Sequence, residues 1–308
     1  GEDIYSPAYR DESALAFSQS TSSNRAQYAE AQINYARDFG KHGVTAMALF
    51  NQREYIDLTA GSSRANIPYR RLGFATRVTY AYDGKYLAEF NMGYNGSENF
   101  APGHRFGFFP SVSLGWTISK EKWFGIDAVN NLKVRGSYGV VGNDAMSQRF
   151  GYLSTIKTDG QYFFFGPTQA RYSGMEESSM GNEELTWENA HKLDIGLDLS
   201  LYDNRVTLQA DYFRENRTDI LQQRQTIPNS TGIYPWCVPY GNIGIVNNQG
   251  VDAMIEIKNT TPSGVFYSFR ANYTFARNII VENDEVPPVY PYLSLKGQRL
   301  GQSMGFDA

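Results

Sequence analysis

The sequence predicts an all-β chain, an antiparallel transmembrane β-barrel segment of about ten strands, and three observations carry that expectation. Segments of ten residues alternate apolar and polar, as in Leu193, Ile195, Leu197, Leu199 and Leu201 against Lys192, Asp194, Gly196, Asp198 and Ser200. One face of such a strand favours oil and the other water. The segments reach the about 9–11 residues that a tilted strand needs to cross a bilayer. Short turns also alternate with long connections, an asymmetry typical of outer-membrane barrels, with short periplasmic turns and long extracellular loops. There is no run of about eighteen apolar residues to make a transmembrane helix, a test that strands escape because only every second residue faces lipid.

The elements follow in order. After a polar opening to about Asn24, Ala29, Ala31, Ile33 and Tyr35 oppose Glu30, Gln32 and Asn34 on a first strand. A turn over Asp38 to Gly43 leads to the apolar Val44 to Phe50, which continues into polar Asn51 to Glu54. A strand is expected near Leu72 to Tyr82. Asp83-Gly84 then has the chemistry of a type I′ hairpin turn, in which both central residues need positive φ. It hands over to Tyr86, Ala88, Phe90, Met92 and Tyr94 against Leu87, Glu89, Asn91, Gly93 and Asn95. Beyond a loop from about Gly96 to Phe109, Val112, Leu114, Trp116 and Ile118 alternate with small polar residues, and Leu132 to Tyr138 forms another strand. Gly142 to Asn189 has no sustained period and reads as a long loop, the kind of segment that carries function. The Lys192–Leu201 and Val206–Phe213 strands flank a tight turn at Asp203-Asn204. A second long loop is expected over Glu215 to about Asn248, before strands at Val251 to Lys258 and Val265 to Tyr273.

Composition narrows the function classes. Aromatic residues make up 15%, with 22 Tyr and 19 Phe, which suits the aromatic girdles of a membrane barrel and equally a carbohydrate-binding β domain. The net charge of −4 and the lack of a basic run give no reason to expect a nucleic-acid partner. Cys237 is the only cysteine, and His42, His104 and His191 are scattered, so no metal site is expected. Carboxylates such as Glu183, Glu184, Glu188 and Asp194 come without a nucleophile-base motif, and the Gly-rich 136–142 stretch lacks the Lys-Ser/Thr of a phosphate loop. No catalytic, cofactor-binding or metal residue is therefore assigned, and no enzymatic activity is expected.

Four ordered stretches resemble the barrel of the SusC/RagA-type TonB-dependent outer-membrane transporters of Bacteroidetes. They are RFGFFPSVSLGWTISKEKWF at 105–124, NNLKVRGSYGVVGN at 130–143, LTWENAHKLDIGLDLSLYDNRVTLQADYFRENRTDIL at 185–221 and NIGIVNNQGVDAMIEI at 242–257. The chain departs from the family at Gly93-Tyr94-Asn95-Gly96-Ser97, where many members carry an Arg and an Asp before Gly-Ser. The resemblance implies a barrel of about 22 strands with a plugged lumen, of which residues 1–308 are a partial barrel domain without the plug, the TonB box or the last strands. The opening Gly1-Glu2-Asp3-Ile4-Tyr5-Ser6-Pro7 has neither a basic start nor an apolar stretch, so the natural N-terminus is expected upstream.

The same resemblance implies energy-coupled import of glycans or oligopeptides, with a SusD-like surface lipoprotein and the TonB–ExbBD complex as partners and outer-membrane lipid around the wall. Lys192, Asp194, Glu89 and Asn91 are expected to keep the lumen wet. Tyr162, Phe163, Phe164 and Phe165, four aromatics in a row, and the pair Tyr234 and Trp236 are the candidate contacts for substrate or partner in the outer loops, because exposed rings stack on sugars or pack on a partner. A soluble glycan-binding β module and a passive porin are the alternative readings. The face assignment also predicts that Asp at Leu197 impairs assembly whereas Asp at Gly196 is milder.

Overall fold

The computed structural model describes residues 17–61, 64–146, 149–160 and 162–303. The opening residues Gly1–Pro7 lie outside them. Ten long strands form one antiparallel sheet in sequence order: β1 (Asn24–Phe39), β2 (His42–Asp57), β3 (Tyr69–Tyr82), β4 (Tyr86–Ser97), β5 (Phe106–Thr117) and β6 (Val129–Asn143), continued by β11 (Glu188–Leu201), β12 (Val206–Gln223), β13 (Tyr240–Thr260) and β14 (Phe266–Glu282). Between β6 and β11 lie four short strands, β7 (Thr155–Lys157), β8 (Tyr162–Phe165), β9 (Ala170–Ser173) and β10 (Glu176–Ser179), which form two separate hairpin-like pairs, β7–β10 and β8–β9. The long sheet does not close on itself.

Turn chemistry fixes one end of the sheet. Asp83 and Gly84 have φ of 53° and 62°, the left-handed pair that a type I′ turn demands, and the Lys85 N–H closes it on the Tyr82 carbonyl at 2.9 Å. Gly40 at φ 63° turns β1 into β2, and Tyr202, Asp203 and Asn204 all take positive φ between β11 and β12. Two strands run further than the alternation suggests. The expected loop Glu215–Asn248 is strand at both ends, with β12 continuing to Gln223 and β13 starting at Tyr240, so only residues 224–239 connect them. Beyond the apolar belt lipid no longer dictates one oily face, so the period fades while the hydrogen-bond ladder continues.

Register places every expected apolar row on one face. Phe90 pairs with Val78 and Val112, Leu197 with Val134 and Ala210, and Ile255 with Leu208 and Ala271. Only eight apolar residues are buried among the described ones, while Leu114 is 63% and Ile33 76% exposed to solvent in this chain alone. A soluble protein does not leave a sheet-wide apolar face bare; this face has lipid as its solvent. Aromatic rows border it. His42, Tyr82, Tyr86 and Trp116 form a ladder across four strands at the tight-turn end, with the Tyr82–Tyr86 and Tyr86–Trp116 rings stacked at 6.3 and 6.5 Å. Phe50, Phe74, Tyr94 and Phe108 are in register at the other end. Tyr86 and Tyr94 are about 26 Å apart along β4, or roughly 20 Å of depth for a strand tilted by 40°.

The opposite face is polar. Glu89, Asn91, Lys192 and Asp194 share it, as expected, with Arg77 3.7 Å from Glu89 and donating to Asn91 at 3.0 Å, and Lys192 3.5 Å from Glu215. Arg135 lies among three aspartates, 3.1 Å from Asp194, 3.5 Å from Asp198 and 2.5 Å from Asp211. Its guanidinium needs the bare backbone of Gly196 beneath it. A side chain at Gly196, expected to be milder than the same change at Leu197, still has neighbours to displace: a Cβ there would sit 2.2 Å from Asp211 Oδ1 and 2.5 Å from Arg135 Cζ.

Candidate functional site

The loops opposite the tight turns are built on a packed collar. Phe100, from the β4–β5 loop, and Leu185 and Trp187, from the approach to β11, form the most buried cluster, with Phe109, Met146, Leu221 and Tyr240 packed against it. The Phe100 and Trp187 rings lie 5.4 Å apart, and the Trp187 indole N–H donates to the Arg105 carbonyl at 3.2 Å. Indole burial and a satisfied N–H together fix the orientation of the ring.

Polar side chains tie this collar to the strand ends. Asn242, near the start of β13, donates to the carbonyls of Thr186 and Asp219, both at 2.8 Å, and accepts from the Thr186 N–H at 3.0 Å. One amide thus replaces the missing strand partner of an irregular segment. Asp144, just past β6, accepts from Arg71 at 2.9 Å and the Ser97 hydroxyl at 2.7 Å, while its carbonyl accepts from Asn99. Arg149 stacks 3.2 Å over the Tyr69 ring and donates to the carbonyls of Ile67 and Pro68. At Asp284, burial pushes the carboxyl up, but the Gln225 N–H, the Thr226 hydroxyl and the Arg224 charge outweigh it and hold the group below its ordinary value.

The candidate aromatics sit above this collar in two separate places. Tyr162–Phe165 are strand β8, paired with β9 through a turn in which Gly166 and Gln169 have positive φ. Phe163 and Phe165 share one face with Tyr172, and Tyr162 and Phe164 share the other, where the Arg171 guanidinium lies 3.8 Å over the Tyr162 ring. All four rings are exposed. Tyr234 and Trp236 stack nearly parallel, with centroids 4.5 Å apart and planes at 9°, on the β12–β13 loop, and are exposed too. Next to them Cys237 is buried, its thiol donating to the Glu177 carbonyl of β10 at 2.6 Å, so this loop is pinned to the β7–β10 pair. Burial pushes that thiol's pKa up.

The collar residues themselves escaped the sequence reading. Trp187 and Leu185 lie in the LTWENAH stretch, but nothing periodic marks them as partners of Phe100. A cavity of about 700 Å³ opens on the polar sheet face, lined by Glu89, Asn91, Ser113, Lys133, Arg135 and Lys192 among others. Among the described residues no group of three or more His, Cys, Asp or Glu side chains is placed to hold a metal ion.

The family model for the TonB-dependent receptor-like β-barrel matches residues 2–303. The chain belongs to the TonB-dependent receptors. TonB-dependent receptor P3 of Formosa agariphila is 31% identical over 278 residues, which cover 82% of this chain and 27% of that protein. The TonB-dependent receptor SusC of Bacteroides thetaiotaomicron is 30% identical over 210 residues, 67% of this chain and 20% of SusC. The chain thus spans about a quarter of the length of these curated relatives. Among solved structures, the RagAB peptide importer in its closed-closed state superposes with a TM-score of 0.68 over 84% of this chain and 30% of that one, at 20% identity. The FrpB iron transporter of Neisseria meningitidis follows the same fold with a TM-score of 0.53 at 11% identity, over 84% of this chain and 36% of that one.

Membership bears out the resemblance to SusC/RagA-type proteins, places the receptor in the outer membrane, and overturns the alternative of a soluble glycan-binding module. The apolar face of this TonB-dependent receptor meets lipid and the polar face lines the lumen side. The β1–β2, β3–β4, β11–β12 and β13–β14 turns are then periplasmic, and the aromatic loops face outward.

Proposed function

We propose that this chain is part of the barrel wall of an energy-coupled outer-membrane importer, and that Tyr162–Phe165, Tyr234 and Trp236 are its outer contacts for a glycan. The observation that carries this reading is the pairing of exposed, stacked rings with a buried, hydrogen-bonded base. The Tyr234–Trp236 stack presents a flat apolar platform, the shape a sugar ring stacks on, and Cys237 beside it is locked into the loop floor. Oligopeptides are the second class, because the β8–β9 hairpin shows aromatic surface on both faces and takes apolar side chains equally well.

In this reading the partial domain of residues 1–308 works with a plug and TonB box in the same receptor. TonB–ExbBD supplies energy, and a SusD-like lipoprotein closes over the outer loops. A passive porin has no need of that coupling. The test is growth and uptake in cells whose receptor carries Tyr234→Ala and Trp236→Ala, supplied with defined glycans or oligopeptides as sole source. The proposal expects lost glycan uptake at unchanged receptor level. Uptake of every substrate at the wild-type rate would sink the assignment, and uptake that persists without TonB would favour the porin.

A further inference from the structure

The apolar field of β11–β14 ends outward on a row of different chemistry. Arg214 of β12, Gln249 of β13 and Arg277 of β14 are direct cross-strand partners. They stand one row beyond Tyr212, Val251 and Phe275, on the same face, because residues two apart along a strand point the same way. Both arginines are exposed, and among the described residues neither forms an ion pair. The next row outward, Asn216, Asn247 and Ile279, holds no carboxylate. Arg299, on the loop that follows β14, joins Arg277 in lining a cavity of about 570 Å³ with Gln298, Leu300, Gly301 and Gln302, again with no acid. The loop is held there by the Leu300 N–H, which donates to the Asn278 side chain at 2.8 Å.

A chain with a net charge of −4 thus places two arginines without an ion pair in one row of its lipid face, with Arg299 lining the same cavity as Arg277. The row lies outward of Tyr212, Val251 and Phe275, toward the strand ends opposite the tight turns, the side on which the acyl chains of a membrane give way to headgroups. Exposed arginines beside hydrocarbon are retained where an anion compensates them, and Arg matches phosphate oxygens by bidentate hydrogen bonding. Arg214 and Arg277 are two strands apart, about 10 Å, so both reach a single headgroup.

We propose that Arg214, Arg277 and Arg299 form a site for the phosphate of an outer-leaflet glycolipid, whose acyl chains lie on the Tyr212–Phe275 row and on Tyr273, Leu208, Ile255 and Phe269 below it. The site is independent of what the receptor imports and rests only on the apolar face meeting the membrane.

The experiment uses the complete receptor extracted in detergent from its own outer membrane, with lipid A, dephosphorylated lipid A and inorganic phosphate as probes. Native mass spectrometry reads retained lipid, and thermal melting reads stabilisation. The wild type is expected to retain phosphorylated lipid A at least tenfold better than the dephosphorylated form. The double variant Arg214→Gln, Arg277→Gln is expected to lose that preference, and Arg214→Lys, Arg277→Lys to keep most of it. Equal retention of the two lipids, an undiminished preference in the Gln variant, or full competition by inorganic phosphate alone would each overturn the proposal. Should the Gln variant fail to assemble, the wild-type comparison of the two lipids still decides.

Discussion

Arg135 reaches its three aspartates by lying across Gly196, so closely that a Cβ at Gly196 would meet the guanidinium carbon at 2.5 Å. The position with no side chain is therefore part of how the cluster fits together. Gly196→Ala is expected to cost about 1–3 kcal/mol through overpacking, since the side-chain ends it meets can move aside only by loosening their ion pairs. Its folded fraction, read by heat-modifiable gel mobility, should fall with the same sign as that of Leu197→Lys, which puts a charge at mid-belt at about 2–4 kcal/mol. Wild-type folding of Gly196→Ala would show that Arg135 does not occupy this place.

Glu121 anchors the periplasmic girdle. It accepts from the Tyr86 hydroxyl at 2.7 Å and the Trp116 indole at 3.2 Å, and Lys85 approaches to 3.3 Å. Hydrogen bonding by Tyr86, then Trp116, holds its pKa below the ordinary carboxylate value. A depressed folded pKa contributes stability that is present above the unfolded value and lost as pH falls through the folded one. Glu121→Gln should therefore melt earlier than wild type at neutral pH, with the gap narrowing as the pH is lowered past the carboxylate range. Melting curves that stay equally separated at all pH values would contradict this account.

Asn242 makes three hydrogen bonds to an irregular segment and its neighbour strand. Asn242→Ala leaves those backbone groups without their partner, at about 1–3 kcal/mol. The loss should be local. Hydrogen exchange is expected to accelerate over residues 182–187 while the β3–β4 pair keeps its protection; unchanged exchange at 182–187 would mean that the collar does not depend on this amide.

Cys237 is buried under its loop with the thiol pKa raised by burial. A maleimide at pH 7 is expected to leave it unlabelled in the assembled receptor and to label it after denaturation, because the thiolate is the reactive species. Rapid native labelling would show the β12–β13 loop to be detached from β10.

The sequence made the membrane wall readable and the collar unreadable for one physical reason. Lipid on one side and water on the other impose a period of two, so Leu193 to Leu201 and Tyr86 to Tyr94 declare their faces without any partner in view. Asp83-Gly84 is as legible, because its φ demands are local. Residues 215–223 and 240–248 stand beyond the belt, where no lipid imposes an alternation and Leu221 and Tyr240 pack on the collar, and their strands show only in the pairing of Asn216 with Asn247 or Gln223 with Tyr240. Phe100 meets Trp187 across 87 positions of sequence, a contact that no short-range pattern encodes. The aromatic run 162–165 was legible as exposed surface, but not its division into two opposed faces by β9.

Every strand of the sheet has its sequence neighbours as spatial neighbours, so the wall can zip up one hairpin at a time. The β6–β11 junction interrupts that order, with residues 144–187 between the two strands, where the tightest turns, β1–β2 and β3–β4, need only residues 40–41 and 83–85 and the next longest connection is residues 224–239. Bringing its ends together carries about 3 kcal/mol more chain entropy than closing a two-residue turn. The Phe100–Leu185–Trp187 cluster and the Asp144 contacts sit at the two feet of this excursion, so the collar also acts as a clasp that shortens the search. A receptor with Leu185→Ala should accumulate with its first six strands protected from proteolysis and its later strands still open, the mark of a zipper stopped at its longest gap.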